Sequence, residues 1–134
     1  MKYTTRQVGQ IGEIAAARYL RKQGYDIVSA NYYTYVGEID LIAFKDDVLV
    51  FCEVKTRSTN KYGRPSEYVT RSKQEKLMKS ALQFVHRYKL SYKMRMDIIE
   101  VMIPSGLDMY AATINHIKNA FNGDGLSASV RSSL

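Results

Sequence analysis

The segment that most constrains the fold runs from Gly37 to Arg57 and contains two apolar runs separated by a short polar stretch. Both runs are rich in Ile, Leu, Val and Phe, and each alternates over enough residues to predict a strand. The polar stretch, Lys45 to Asp47, predicts a tight turn between them. The segment is therefore expected to form an antiparallel hairpin.

The length of the turn decides which side chains of the hairpin face each other. A two-residue loop brings Asp40 opposite Glu53 and Glu38 opposite Lys55. A four-residue loop keeps this pairing, whereas a loop of three or five residues shifts the register by one. Opposed carboxylates between apolar neighbours destabilise a sheet unless a cation lies beside them. With an even loop, the hairpin predicts a cation site.

The residue types at this position indicate phosphate chemistry. Carboxylate oxygens are preferred ligands of Mg²⁺, which commonly takes one or two carboxylates and fills its other positions with water and phosphate. Lys55 lies two residues after Glu53 and therefore on the same strand face. Its ammonium can orient or deprotonate an attacking water or stabilise charge on a phosphate. Asp40 followed by Glu53-x-Lys55 resembles the signature of PD-(D/E)xK nucleases, the restriction-endonuclease-like superfamily.

Length and composition favour one domain. The chain has 134 residues, and we expect a single domain over residues 1–121, followed by a disordered tail at 122–134 that is rich in Gly, Ser and Asn. No apolar run is long enough to cross a bilayer, and the N-terminus lacks the apolar core of a signal peptide. A single cysteine, Cys52, forms no internal disulfide, so a cytoplasmic location is expected.

The charge balance favours a polyanionic partner. A net charge of +7 and a pI near 9.5 suit nucleic acid, although a basic surface also serves solubility alone. Much of this charge follows the Glu-x-Lys strand, in a polar loop and the helix after it. The candidate nucleic-acid contacts there are Arg57, Lys61, Arg64, Lys73, Gln74 and Lys76. For the loop, a solvated connector is an equal alternative.

The first helix is predicted over Thr5 to Gln23 and is stopped by Gly24. Glu13 lies at the edge of its apolar stripe. The neighbours of Glu13 one turn away are small, and these are Gly9, Ala16 and Ala17. Small neighbours allow close approach to the sheet, where Glu13 would add a third carboxylate to the metal site. The alternative is an exposed surface Glu.

Other elements follow from local patterns. We predict a short strand at Tyr25–Val28 that ends at Ser29–Asn31, a helix from Ser72 to Tyr88 that begins with a Ser72–Glu75 capping box, and a strand from Arg95 to Ile103. A short strand over Met109–Ile114 and a terminal turn or helix at Ile117–Phe121 complete the chain.

Two features among these elements keep alternatives open. Three tyrosines between Asn31 and Tyr35 either cover one end of the sheet, which we favour, or line a groove where bases stack. Asp97 interrupts the last long strand. It is either a capped or strand-end Asp, which we favour, or a metal ligand.

The whole order of segments resembles the YraN-like family, uncharacterised protein family 0102, a bacterial family classed with the restriction-endonuclease-like fold. The resemblance covers nearly everything from Gly9 to Phe121. The segments that carry it are Gly9-x-x-Gly12-Glu13-x-x-Ala16, Gly24-Tyr25, Asn31, Gly37 to Ala43 (GEIDLIA), Phe51 to Arg57 (FCEVKTR), Gly63, Val69-Thr70, Lys73-Gln74 and His116 to Phe121. Tyr33, Tyr35 and Ser72 depart from residues usual in the family.

The resemblance implies an α/β fold with a mixed β-sheet of four or five strands flanked by helices, similar to archaeal Holliday-junction resolvases. It implies that Asp40 and Glu53 hold Mg²⁺ or Mn²⁺, with the Val54 carbonyl as a further ligand. Lys55 is then the catalytic lysine and Glu13 the helical acidic partner. Gln74 resembles a helix glutamine that some related nucleases place near the site.

Three functions remain open at this point. The first is a metal-dependent endonuclease acting on DNA, including branched or repair and recombination intermediates, with two-fold pairing of chains a common device for cutting both strands. The second is a nucleic-acid-binding protein on the same fold that does not cut. Intact Asp40, Glu53 and Lys55 speak against the second, because a binder needs no acids where it meets phosphates. The third is a basic surface that binds an acidic protein.

Overall fold

The structure is a computed structural model that describes residues 3–57, 69–104 and 108–122. It contains a five-stranded sheet with the strands in chain order and a helix on each face. The elements are α1 (Thr5–Lys22), β1 (Asp26–Tyr33), β2 (Glu38–Lys45), β3 (Val48–Arg57), α2 (Arg71–Arg87), β4 (Lys93–Met102), a 3-10 helix (Met109–Ala111) and β5 (Thr113–Phe121). The predicted fold class is confirmed.

The sheet is mixed because one connection crosses over. Strands β1 and β2, β2 and β3, and β4 and β5 pair antiparallel, whereas β3 and β4 run parallel. Between β2 and β3 the loop contains only Asp46 and Asp47, with φ values of 52° and 62°. Positive φ at both positions is typical of a type I′ turn. The two-residue loop and the pairing of Lys45 with Val48 are therefore confirmed.

Alternation along β3 decides which face each side chain meets. Val50 and Cys52 belong to the apolar core under α1, and Leu49 and Phe51 belong to the core under α2. By the same period of two, the odd-numbered residues that follow project toward the α2 face. The acidic and basic residues of the Glu-x-Lys motif are thus presented toward α2.

Three sequence expectations for the strands are wrong. β1 does not end at Ser29–Asn31 but continues to Tyr33, past a bulge between Ile27 and Ser29. At the other end of the sheet, Ile117–Phe121 is neither a turn nor a helix but part of β5, whose pairing with β4 satisfies the backbone groups of both strands. In place of the predicted strand at Met109–Ile114, Met109–Ala111 forms a 3-10 helix and β5 begins only at Thr113.

The start of α2 also differs from the prediction. Its N-cap is Thr70, whose hydroxyl accepts the Lys73 N–H at 3.2 Å, so the capping box at Ser72 and Glu75 does not form. Thr is a favourable N-cap because its oxygen satisfies a helix N–H that has no backbone partner. Among the described residues, no helix is long and apolar enough to cross a membrane.

Asp97 is completely buried inside β4 and ties the two last strands together. Arg95 donates through two nitrogens to its two oxygens, both at 2.9 Å, and His116 Nε2 lies 2.6 Å from Oδ2. The Asn119 N–H donates to Oδ1 at 2.9 Å. Of the predicted capped or strand-end Asp, the strand-end position is wrong, because Asp97 lies within β4, and its oxygens accept internal hydrogen bonds, one of them from a backbone N–H.

The same network reaches the first helix. His116 Nδ1 lies 3.0 Å from the Tyr19 hydroxyl, and Arg95 donates to the Tyr25 hydroxyl at 2.7 Å. Burial opposes ionisation of Asp97, but the hydrogen bonds from His116, Arg95 and the Asn119 amide outweigh it and hold its pKa below the usual range. The network joins α1, β4 and β5.

Replacing Asp97 with Asn should lower the free energy of unfolding by about 3 kcal/mol at neutral pH, because Arg95 would lose its charged partner. This is the low end for buried pairs, since the Arg95 side chain is 24% exposed. A lowered folded-state pKa gives stability that is present above the ordinary Asp range and lost as the pH falls through the folded value. Urea unfolding over a pH series should therefore show the difference shrinking below about pH 4.

The matched control is Asp26→Asn, which removes an exposed carboxylate at the start of β1. It should change stability by less than about 0.5 kcal/mol. Equal losses for Asp97→Asn and Asp26→Asn would contradict the role assigned to the network.

Candidate active site

The β2–β3 ladder ends one step before the two predicted acidic ligands. Its last pair is Leu41 with Cys52. Beyond that pair, Asp40 Oδ2 accepts the Val54 N–H at 2.8 Å. The expected direct pairing of Asp40 with Glu53 is therefore wrong, because a carboxylate takes the place of a backbone acceptor where two like charges would face each other. The strands separate at this point.

The expected pairing of Glu38 with Lys55 is also wrong, because the β2–β3 ladder ends before it reaches these residues. Glu38 pairs with Tyr33 of β1 and not with Lys55. The Lys55 ammonium lies instead 3.2 Å from Glu53 Oε1, on its own strand. Both side chains of this pair are largely buried. The strand therefore presents an acid and a base side by side toward the α2 face.

Asp40 is the most perturbed carboxyl group of the site. Its residue is only 8% exposed. Burial and the charge of Glu53 raise the pKa of Asp40 to about 8, against the lowering effect of the Val54 hydrogen bond, and Glu13 and Glu38 raise it further. Four carboxyl groups from α1, β2 and β3 thus interact electrostatically at one place. Such a cluster favours a proton or a metal cation.

Glu13 reaches this cluster because α1 packs very closely on β3. A Cβ atom at Gly12 would lie 1.7 Å from Thr56 Oγ1, so only glycine allows this approach. Burial raises the pKa of Glu13 against a hydrogen bond with the Asn31 side chain, and the charges of Glu38 and Glu53 add to the rise. The close approach of helix and sheet was expected beside Gly9, Ala16 and Ala17, but it is made at Gly12, and a Cβ at Gly9 would meet nothing within 4 Å.

The basic side of the site comes from β3 and α2. Lys55 and Lys73 contact each other through their side chains. Burial lowers the pKa of Lys55, but contact with Lys73 and the charges of Glu53 and Asp40 outweigh it and raise the value. The same contact lowers the pKa of Lys73, because a nitrogen that accepts a hydrogen bond from the Lys55 ammonium must be neutral, and burial and the charge of Lys55 lower this pKa further.

A cavity of about 230 Å³ joins the acidic and basic groups. Its lining comes from β2, β3 and α2 and consists of Gly37, Glu38, Asp40, Glu53, Lys73, Lys76 and Leu77. Carboxylates lie on the sheet side of this cavity and ammonium groups on the helix side. The arrangement can hold an anionic group between a cation site and two lysines.

The residues present fit a divalent ion bound through few protein ligands. Within the described ranges, no group of three or more His, Cys, Asp or Glu side chains is placed to enclose a metal ion. Mg²⁺ and Mn²⁺ do not need such a cage, since one or two carboxylates with water and substrate phosphate suffice for Mg²⁺. Asp40 and Glu53 are the carboxylates in position, with the Val54 carbonyl adjacent in the chain.

The remaining predicted contacts lie elsewhere. Gln74 donates through Nε2 to the Val69 carbonyl at 3.2 Å and is not among the described residues that line the cavity. Arg57 ends β3, where its carbonyl accepts the Ile103 N–H at 2.8 Å. Lys61 and Arg64 lie outside the described residues, as does nearly all of the predicted disordered tail.

One member of the acidic cluster and two contacts of the site were not predicted from the sequence. Glu38 lies two residues before Asp40 in the same strand, and this spacing was a usable signal for a further acid. Asn31 has a φ of 52° and contacts Glu13, and its place in β1 depends on a bulge that the sequence does not announce. The contact of Lys73 with Lys55 depends on how α2 packs.

Comparison with known proteins gives one consistent result. A sequence model of the uncharacterised protein family UPF0102 matches residues 12–101. A UPF0102 protein of Clostridium perfringens is 40% identical over 122 residues, which cover 90% of this chain and 98% of the relative. One from Caldanaerobacter subterraneus is 43% identical over the same shares, and one from Syntrophomonas wolfei is 40% identical over 87% of this chain and 98% of the relative.

The Gly12 contact generates a stability prediction. Gly12→Ala should lower the free energy of unfolding by about 1–3 kcal/mol, because the added methyl group forces α1 away from Thr56. Gly9→Ala is the matched control, since a Cβ there meets nothing within 4 Å. It should raise stability by up to about 1 kcal/mol, as alanine favours helix over glycine.

A double-mutant cycle with Thr56→Gly isolates the clash from the change in helix propensity. In the Thr56→Gly background, Gly12→Ala should no longer lower the free energy of unfolding, and its effect should match that of Gly9→Ala. Chemical unfolding measures all the variants. Equal stability of Gly12→Ala and Gly9→Ala in the wild-type background would contradict the close packing of α1 on β3.

Proposed function

The chain belongs to the uncharacterised protein family UPF0102, and we propose that it is a Mg²⁺- or Mn²⁺-dependent nuclease that hydrolyses phosphodiester bonds in DNA. One observation carries the proposal. Asp40 is a carboxyl group whose pKa is raised to about 8 by burial and by neighbouring acids, and it lines the same cavity as Glu53, which forms an ion pair with Lys55. Acids that attract a cation and lysines that attract a phosphate meet there.

The order of these groups supports the proposal. Asp40 on one strand and Glu53-Val54-Lys55 on the next have the spacing of the PD-(D/E)xK signature, and a mixed sheet with helices on both faces carries them. Fold alone does not define an activity. The support comes from the site, where the signature residues are drawn together by the Val54–Asp40 hydrogen bond.

Each residue has a definable part in hydrolysis. A divalent ion bound at Asp40 and Glu53 would activate water and stabilise charge on the leaving oxygen. The Val54 N–H fixes the orientation of the Asp40 carboxylate, and Glu53 holds the Lys55 ammonium at 3.2 Å. Since the pKa of Lys55 is raised, this side chain stays protonated and suits a cation that positions water and steadies the phosphate, more than a base.

The helix side of the cavity supports binding of the DNA backbone. Lys73 and Lys76 line it opposite the carboxylates, and both are exposed on α2. Lysine binds phosphate as a point charge without reading base sequence. The net charge of +7 adds general attraction for a polyanion. The buried thiol of Cys52 suits the reducing cytoplasm, which we propose as the location of this activity.

Lys55→Ala tests the proposed activity. The variant should lose cleavage of labelled DNA by about a hundredfold to a thousandfold in Mg²⁺ or Mn²⁺, because a cation at the reacting phosphate is removed. Binding of the same DNA in the presence of a chelator should change by less than tenfold. The assay uses a panel of linear and branched DNAs.

Lys93→Ala is the charge-matched control, because Lys93 is exposed and pairs with Val48, at the opposite end of β3 from Lys55. It should cut as the wild type does. Absence of cleavage by the wild-type protein in every metal would refute the nuclease and favour a nucleic-acid-binding protein that does not cut. Equal rates for the two lysine variants would remove Lys55 from the reaction.

A further inference from the structure

We propose that the groove between α1 and the β1–β2 hairpin binds single-stranded DNA, whose bases stack on Tyr33 and Tyr35. This inference rests on the proposed function, because it assigns the substrate to DNA that carries unpaired nucleotides next to the bond that is cut. The groove itself is an observed feature. It has a volume of about 800 Å³ and begins where the candidate active site ends.

Continuity with the candidate active site is the first argument. Gly37 and Glu38 line both the groove and the smaller cavity that holds Asp40 and Glu53. Glu13 also lines the groove. A strand that leaves the cavity past these residues therefore enters the groove directly. The volume lies in the range of small-ligand clefts, so the groove suits a few unstacked nucleotides and not a double helix.

The exposure of the two tyrosines is the second argument. Tyr33 is 73% exposed and Tyr35 is 91% exposed, yet both line the groove. The neighbouring Tyr32 is different, because its ring packs edge-on against the ring of Phe84, with the two ring centroids 5.1 Å apart. In the described part of the chain, neither Tyr33 nor Tyr35 makes such a ring contact. Their ring faces are available for bases, every one of which offers a flat π surface.

The hairpin holds these rings on a rigid turn. The Thr34 hydroxyl accepts the N–H groups of Val36 and Gly37 at 3.2 and 3.1 Å. It also lies 2.9 Å from the hydroxyl of Ser80, which is completely buried on α2. A turn fixed in this way loses little conformational entropy when a ligand binds. The tyrosines are thus prearranged beside the cavity.

The opposite wall supplies polar groups and a cation. Arg6, Gln10 and Glu13 lie on one face of α1, and Arg6 is two turns, about 10 Å, before Glu13. Its guanidinium can neutralise a phosphate at the end of the groove that is remote from the carboxylates. The Gln10 and Asn31 amides can bond base edges. The lining thus combines aromatic, amide and cationic groups with the carboxylates of Glu13 and Glu38, and this mixture fits a single strand better than an apolar peptide.

The test uses DNA with a fluorescent adenine analogue, 2-aminopurine, in a single-stranded flap beside a duplex, with a chelator present so that nothing is cut. The wild-type protein should quench the probe and bind the flap more tightly than a blunt duplex. Replacing Tyr33 and Tyr35 together with Ala should weaken flap binding at least about tenfold and abolish the quenching. The corresponding double change to Phe should retain both.

Tyr110→Ala is the control, because Tyr110 is 70% exposed but lies in the 3-10 helix, where Arg18 covers its ring, and it does not line the groove. It should leave flap binding unchanged. Equal affinity of the wild type for flap and blunt duplex, or unchanged binding by the Ala double variant, overturns the proposal. Because the measurement needs no metal, quenching that depends on the tyrosines supports the groove as a DNA-binding site even if no DNA is cut. Cleavage of DNA without quenching refutes the groove proposal and leaves the nuclease proposal intact.

Discussion

The hydrogen bond from the Val54 N–H to Asp40 Oδ2, at 2.8 Å, is the contact on which the candidate site depends. It ends the β2–β3 ladder and turns a strand residue into a buried carboxyl group beside Glu53. An acid held there with other acids nearby is costly unless a proton or a cation compensates its charge. The site therefore requires nearby positive charge, which a divalent ion at the carboxylates and the adjacent Lys55 ammonium would supply.

Packing outside the cavity maintains this arrangement. Gly12 lets α1 lie directly on β3, and that approach carries Glu13 to the edge of the carboxylate cluster. On the same face of the sheet, Asp97 joins β4, β5 and α1 through Arg95 and His116. Since β3 pairs with β4 along its whole length, this network supports the strand that presents the Glu-x-Lys motif. Asp97 therefore serves the stability of the sheet, whereas Asp40 and Glu53 are the carboxylates of the candidate site.

Much of this arrangement could be predicted from the sequence. Alternation and the Asp46-Asp47 turn were sufficient for the hairpin and its register near the turn, because both are local properties. The end of the β2–β3 ladder at Asp40 was not predictable, since the Val54 N–H donates to a side-chain oxygen and not to a backbone carbonyl of the paired strand. The pairing of β5 failed for a similar reason: an edge strand with a mixed pattern gains its backbone partners only from the assembled sheet. The contact of Lys73 with Lys55 likewise requires the docked helix.

The most direct test of the account is a carbon-13 NMR titration of the Asp40 carboxyl group, assigned by its loss in Asp40→Asn. Without metal, the midpoint should lie near pH 8, because burial and the neighbouring acids oppose ionisation. Saturating Mg²⁺ should lower it, since the ion and the proton compete for the same oxygens. A midpoint near the ordinary Asp value of about 3.9, or one that Mg²⁺ does not move, would contradict the proposed metal site.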